Sequence, residues 1–170
     1  LSAEAGIKYF IFGAVASTVM LYGLSLLFGL SGGYTGYEAI AATLKSNDPE
    51  SLMRTPALFA ALLVMVGFAF KTSAVPFHFW APDVYQGSPT PVAGFISTAS
   101  KAAGFAILLR FLFYVLPPGE SYAAAAWVSL LRPFAVLTLI VGSLAALMQT
   151  NVKRMLAYSS IAQAGYMLMG

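Results

Sequence analysis

The stretch "FAFKTSAVPFHFW" (Phe68–Trp80) joins two long apolar segments. A lysine, a proline and the only histidine of the chain stand close together within it. The apolar run that ends at Lys71 starts at Pro56, whose missing N–H is tolerated in the first turn of a helix. That run is shorter than the roughly 20 residues needed to cross a hydrocarbon core. The spacing therefore predicts a broken helix. Its first half runs from Pro56 to about Lys71. Its second half lies within Ala74–Gly87, is started by Pro76, and is exposed to distortion or shortening by Pro82.

The rest of the chain reads in the same way. Of its 170 residues 59% are hydrophobic and 9% are charged, far below the roughly 25% of charged residues in a soluble domain. The mean hydropathy is +0.81. These values place the chain in the membrane class. Ala5–Leu30 is a first span. A polar connector, Ser31–Thr55, comes next, with a short surface helix at Tyr37–Leu44. Beyond the broken span (56–86), "GSPTPVAG" turns the chain into a third span, 91–116. "PPGESY" (Pro117–Tyr122) turns it into a fourth, 123–148, with a bend at Arg132–Pro133. "QTNVKR" leads to a fifth span from Met155 that continues to the last residue, and the reading expects a piece of a longer polytopic protein. The fold class is all-α, a polytopic transmembrane helix bundle with one discontinuous helix. Basic residues divide evenly between the two sides, so the positive-inside rule assigns no orientation.

Composition also excludes chemistry. With no cysteine there is no disulfide, cysteine-ligated iron–sulfur cluster or attached c-type haem, and one histidine cannot hold a haem on both faces. No basic stripe with interleaved aromatics indicates nucleic acid. "GLSGGYTG" lacks the lysine of a phosphate loop, and Asp83 has no second acid at metal spacing.

What remains is a set of cations at depth, where a charge costs roughly 2.5–3.5 kcal/mol on insertion scales. Lys45, Lys153 and Arg154 fall in connectors, and Arg110 and Arg132 lie near span ends where they can snorkel. Lys101 lies near the middle of the third span, among the small and hydroxyl residues of "STASKAAG". Lys71 sits at the helix break, where unpaired backbone groups are tolerated only beside protein or water. Burial disfavours a charged amine and a nearby carboxylate favours it, so an amine between the two effects can load and release a proton. His78 is a further candidate, bridged to Lys71 through water, because histidine titrates near neutrality. Glu4 and Lys8 have the i,i+4 spacing of a helical ion pair. The same parts suit a sodium transporter, a proton carrier, or an inert scaffold in which buried lysines only pair helices.

The text "FKTSAVPFHFWAPDVYQGSPTPVAGFISTASKAAGFAILLRF" (Phe70–Phe111) resembles the antiporter-like membrane subunits of respiratory complex I, the proton-translocating NADH:quinone oxidoreductase. "EAGIKYFIFGAVASTVMLYGLSLLFG" and "NVKRMLAYSSIAQAGYMLMG" fit the same family. The resemblance implies an antiporter-like fold of about fourteen helices with two inverted five-helix repeats. It implies proton-relay roles for Lys71, Lys101, Lys8, His78 and Glu4. It implies no cofactor in this chain, with flavin and iron–sulfur clusters in other subunits. The implied partners are other membrane subunits, the lipid bilayer, protons and internal water, in a bacterial inner membrane. The glutamate partner of the broken-helix lysine is expected on a helix outside this sequence. The alternative is a subunit of a multi-component sodium/proton antiporter, or of a related membrane-bound oxidoreductase or hydrogenase.

Overall fold

The computed structural model describes residues 2–46, 54–115 and 122–170. Among them there are helices and turns and no strands. The helices are α1 (Ser2–Leu30), α2 (Tyr37–Ser46), α3 (Arg54–Thr72), α4 (Trp80–Gly87), α5 (Thr90–Phe95), α6 (Lys101–Val115), α7 (Tyr122–Leu147) and α8 (Val152–Met169), with a π-helical turn, Ile96–Ser100, between α5 and α6. Among the described residues three stretches are long and apolar enough to cross a bilayer: Ser2–Leu30, Thr90–Val115 and Trp127–Leu147. Of the connector turn expected at Pro117–Tyr122, residues 117–121 lie outside the described residues and Tyr122 opens α7, and 47–53 of the first connector lie outside them as well.

The break after α3 is a Schellman cap built without glycine. Ser73 takes the left-handed conformation (φ 60°). Its N–H donates to the Phe70 carbonyl (3.1 Å), and the Ala74 N–H donates to the Ala69 carbonyl (2.8 Å). These are the two bonds that satisfy orphan carbonyls at a helix end. The Thr72 hydroxyl adds a bond to the Phe68 carbonyl (2.9 Å), and the Trp80 indole N–H adds one to Phe70 (3.1 Å). The end of a helix at membrane depth is thus hydrogen-bonded by protein groups.

The second half-helix corrects the expectation that Pro76 starts it. The Val75–Pro76 peptide is cis, residues 75–79 form a turn, and helix begins at Trp80. Pro82 then falls at the third helical position, where its missing N–H had no intrahelical partner, so it does not shorten α4. The Val75 N–H donates to the buried Thr138 hydroxyl on α7 (3.0 Å), which itself donates to the Phe134 carbonyl (2.5 Å). Helix α7 runs on through Pro133. α8 starts three residues before the expected Met155, because Asn151 caps it through the Arg154 N–H (3.2 Å).

Two apolar clusters position the halves. One packs Leu27, Val64, Phe68, Leu108 and Phe111 between α1, α3 and α6. The other surrounds α4, with Trp80, Val84 and Tyr85 against Ala16 of α1, Phe70 of α3 and Ile161 of α8. Small residues allow the close approaches. A Cβ on Gly23 would lie 2.7 Å from the Ala60 carbonyl, and one on Gly142 would lie 2.6 Å from the Ala162 nitrogen.

Ser73 supplies a test of the break. Its left-handed backbone costs roughly 1–2 kcal/mol for a side-chain-bearing residue, and its buried hydroxyl has no hydrogen-bond partner. Ser73→Gly is expected to raise the melting temperature in detergent, and Ser73→Val to lower it. Equal melting temperatures for all three would contradict a strained cap.

Candidate functional site

The five residues expected to share a relay separate into two groups along α4. Near the break, Lys71 is the last residue but one of α3, where a cation interacts favourably with the helix C-terminus. Its ammonium donates to the Tyr9 hydroxyl of α1 (3.3 Å). Its stem lies against Gly104 of α6, where a Cβ would stand only 3.1 Å from the Lys71 Cγ. A cavity of about 530 Å³ opens here between α1, α3 and α6, with Lys71, Tyr9, Gly13, Ser17 and Gly104 in its wall.

Lys101, three residues before Gly104, is buried. It donates to the Ser160 carbonyl (3.0 Å) and the Ser160 hydroxyl (2.9 Å) of α8. Its ammonium also lies 6.0 Å from the centre of the buried Tyr85 ring. The π turn ends immediately before it. One extra residue in a helical turn rotates the next turn by about 100°, and the hydroxyls of Ser97 and Thr98 both donate to the Gly94 carbonyl at 2.8 Å within this segment. No carboxylate of the described residues pairs with Lys71 or Lys101. Both amines are held by neutral oxygens.

His78 occupies the turn between the half-helices rather than the second half-helix. It is buried, its ring centre is 4.3 Å from that of Phe79, and its Nδ1 has no hydrogen-bond partner. No hydrogen bond joins it to Lys71.

Lys8 and Glu4 form the expected i,i+4 pair (2.6 Å) at the start of α1. Lys8 also pairs with Asp83 of α4 (2.6 Å), and the other carboxylate oxygen of Asp83 takes Arg154 of α8 (2.6 Å). Gln86, one turn along α4, accepts from the same guanidinium nitrogen (3.2 Å), and Lys153 caps the Ser88 carbonyl (3.1 Å). The start of α1, the end of α4 and the start of α8 thereby share one polar rim. Tyr9, Ser160 and the ion-pairing role of Asp83 escaped the sequence reading because their partners lie 59 to 75 residues away, beyond any local spacing rule. Arg110 is exposed, with its guanidinium 5.9 Å from the centre of the Tyr37 ring and 5.9 Å from that of Tyr114. Among the described residues no group of three His, Cys, Asp or Glu side chains is placed to hold a metal.

The discontinuous helix that ends beside Lys71 packs against the helix that carries the buried Lys101, in the fold of an antiporter-like membrane subunit. The family model for the transmembrane segment of NADH:quinone oxidoreductases and Mrp antiporters matches residues 1–170, and the chain belongs to that family. The NADH-quinone oxidoreductase subunit N of Chlorobium chlorochromatii is 53% identical over 99% of this chain and 33% of that relative. Among solved structures, a chain of respiratory complex I from Thermus thermophilus is 44% identical, with a TM-score of 0.75 over 98% of this chain and 33% of its own length. A chain of an archaeal membrane-bound sulfane sulfur reductase has a TM-score of 0.83 at 32% identity, over 96% of this chain and 32% of its own. The chain spans about a third of the length of the curated relatives it matches.

The Asp83 rim gives a second test. Its ion pairs are about one-third exposed, and such pairs contribute roughly 0.2–1 kcal/mol each. Asp83→Asn is expected to lower the melting temperature in detergent, and less so at high salt. In a double-mutant cycle with Arg154→Gln, a coupling of about 0.5 kcal/mol or more is expected. Additive losses would show that the two groups do not act on each other.

Proposed function

We propose that this chain is part of a proton-translocating membrane subunit of NADH:quinone oxidoreductase, most like subunit N. In this reading it holds no redox site. Electron transfer through flavin and iron–sulfur clusters in partner subunits drives charge movement here, in a bacterial inner membrane. The observation that carries the reading is the pair Lys71 and Lys101, brought to one face of α6 beside a helix break and solvated by Tyr9 and Ser160 rather than by carboxylates.

Neutral partners matter chemically. A lysine locked to a carboxylate leaves an uncompensated anion when it gives up its proton, which opposes release. A lysine held by hydroxyl and carbonyl oxygens leaves no such charge, so a change in the nearby field can discharge or reload it. Lys71 and Lys101 are therefore the principal carriers, with His78 at the break as a third group. Lys8 and Glu4 stand apart at the polar rim, where they would exchange protons with the aqueous side or set the local field. Zero cysteines in the chain support placing the clusters elsewhere.

A sodium/proton antiporter subunit is the second reading, because the family includes Mrp antiporters. Identity of 53% to a subunit N favours the oxidoreductase.

The experiment is Lys71→Ala in a full-length subunit N carrying this sequence, inside the assembled complex in proteoliposomes. NADH oxidation and the pH gradient are followed together, with assembly checked on a native gel. Gradient formation is expected to fall about tenfold or more, in line with loss of a positioned proton-transfer group. An intact complex that pumps and turns over as before would reduce Lys71 to a structural residue.

A further inference from the structure

We propose that Tyr9 is the positioning residue for Lys71, a hydroxyl that keeps the amine in place in both its charged and its neutral form. The inference rests on the reading of Lys71 as a proton carrier. The Lys71 ammonium donates to the Tyr9 hydroxyl at 3.3 Å, its one hydrogen bond among the described residues. Both groups stand in the wall of the cavity between α1, α3 and α6. The bond is longer than the usual 2.7–3.2 Å, so the amine is held but not locked.

The chemistry of the partner decides which form of the amine it can hold. An ammonium has donors and no acceptor, so it needs an oxygen lone pair. Once it has lost a proton, its nitrogen can accept as well. A carboxylate or a carbonyl only accepts. A phenol does both: it accepts from the ammonium, and by turning its O–H towards the nitrogen it donates to the neutral amine. One group thus keeps the nitrogen at the same place while the lysine loads and releases its proton. Tyr9 gives up no proton in this role and stays a phenol throughout.

The placement of that phenol is tied to the helix break. The Tyr9 ring lies against one aromatic from each half-helix, 6.0 Å from Phe70 of α3 and edge-on to Trp80 of α4 at 5.1 Å between centres. Trp80 is 2% exposed, and its indole N–H donates to the Phe70 carbonyl. The residues that close the break therefore also set the hydroxyl. The lysine stem lies against Gly104 of α6, with no room for a Cβ to spare, so its two ends are directed by two different helices. A phenylalanine at position 9 would keep both ring contacts, and the packing does not call for the oxygen.

The test compares Tyr9→Phe, Lys71→Ala and the double variant, each in a full-length subunit N carrying this sequence within its assembled complex in proteoliposomes. A fourth protein carries a ring-fluorinated tyrosine at position 9, which restores the oxygen. Gradient formation and NADH oxidation are measured, with assembly checked on a native gel. Tyr9→Phe is expected to assemble and to slow gradient formation about fivefold, the factor that one hydrogen bond of ordinary strength accounts for. The fluorinated tyrosine is expected to recover at least half of the rate. In the Lys71→Ala background Tyr9→Phe is expected to add no further loss, because a residue that acts through Lys71 then has nothing to position. If Lys71→Ala lowers the gradient while Tyr9→Phe pumps normally, the positioning role is wrong and the Lys71 reading stands. A further loss in the Lys71→Ala background, or a fluorinated variant as slow as Tyr9→Phe, would assign Tyr9 to packing and overturn the proposal. Failure of Tyr9→Phe to assemble would do the same. If Lys71→Ala itself pumps normally, the Lys71 reading fails and the role of Tyr9 with it.

Discussion

Interrupting a helix inside a membrane leaves carbonyls and N–H groups with no water to receive them, and the arrangement around α4 depends on how that demand is met. The last carbonyls of α3 accept from the backbone of Ser73 and Ala74, from the Thr72 hydroxyl and from the Trp80 indole. The first N–H of the next turn is taken by Thr138 of α7. Each partner is itself buried, so the break depends on α7 and on the tryptophan that opens α4 being in place around it. Lys71 sits immediately before this cap, and the same event that ends the helix presents its ammonium to Tyr9.

Helix α4 has only eight residues and holds its place through its surroundings. A helix of that length has little stability of its own. Its buried face packs on α1, α3 and α8, and its polar edge is tied through Asp83 to Lys8 and Arg154. Exposed ion pairs contribute little energy, but two of them on one carboxylate define which turn of α4 meets which turn of its neighbours. The orientation of Tyr85 towards Lys101 depends on that register. Lys8, to which the resemblance gives a relay role, lies at this rim and pairs with two carboxylates. It therefore differs from Lys71 and Lys101, which have neutral partners.

Much of this was legible beforehand because apolar run length is a local property. The spans, the break after Lys71, the Glu4–Lys8 pair and the candidacy of Lys71 and Lys101 all come from composition and short-range spacing. Pro76 misled because proline marks a helix start only where the following backbone continues one, and here a turn over 75–79 intervenes. The π turn before Lys101 left no readable signature, since "ISTAS" suits a regular helix equally well.

The sequence by itself determined the membrane class, the discontinuous helix and the presence of amines too deep to be ordinary surface charges. Each of these rests on the cost of placing polar atoms in hydrocarbon. Only the tertiary structure decided what those amines touch: Tyr9 for Lys71, Ser160 and Tyr85 for Lys101, and Asp83 for Lys8. Those partners lie on other helices, and the rotation of each helix about its axis is set by packing and by the extra residue of the π turn. A hydropathy pattern says how long a helix is and leaves open which of its faces meets a neighbour.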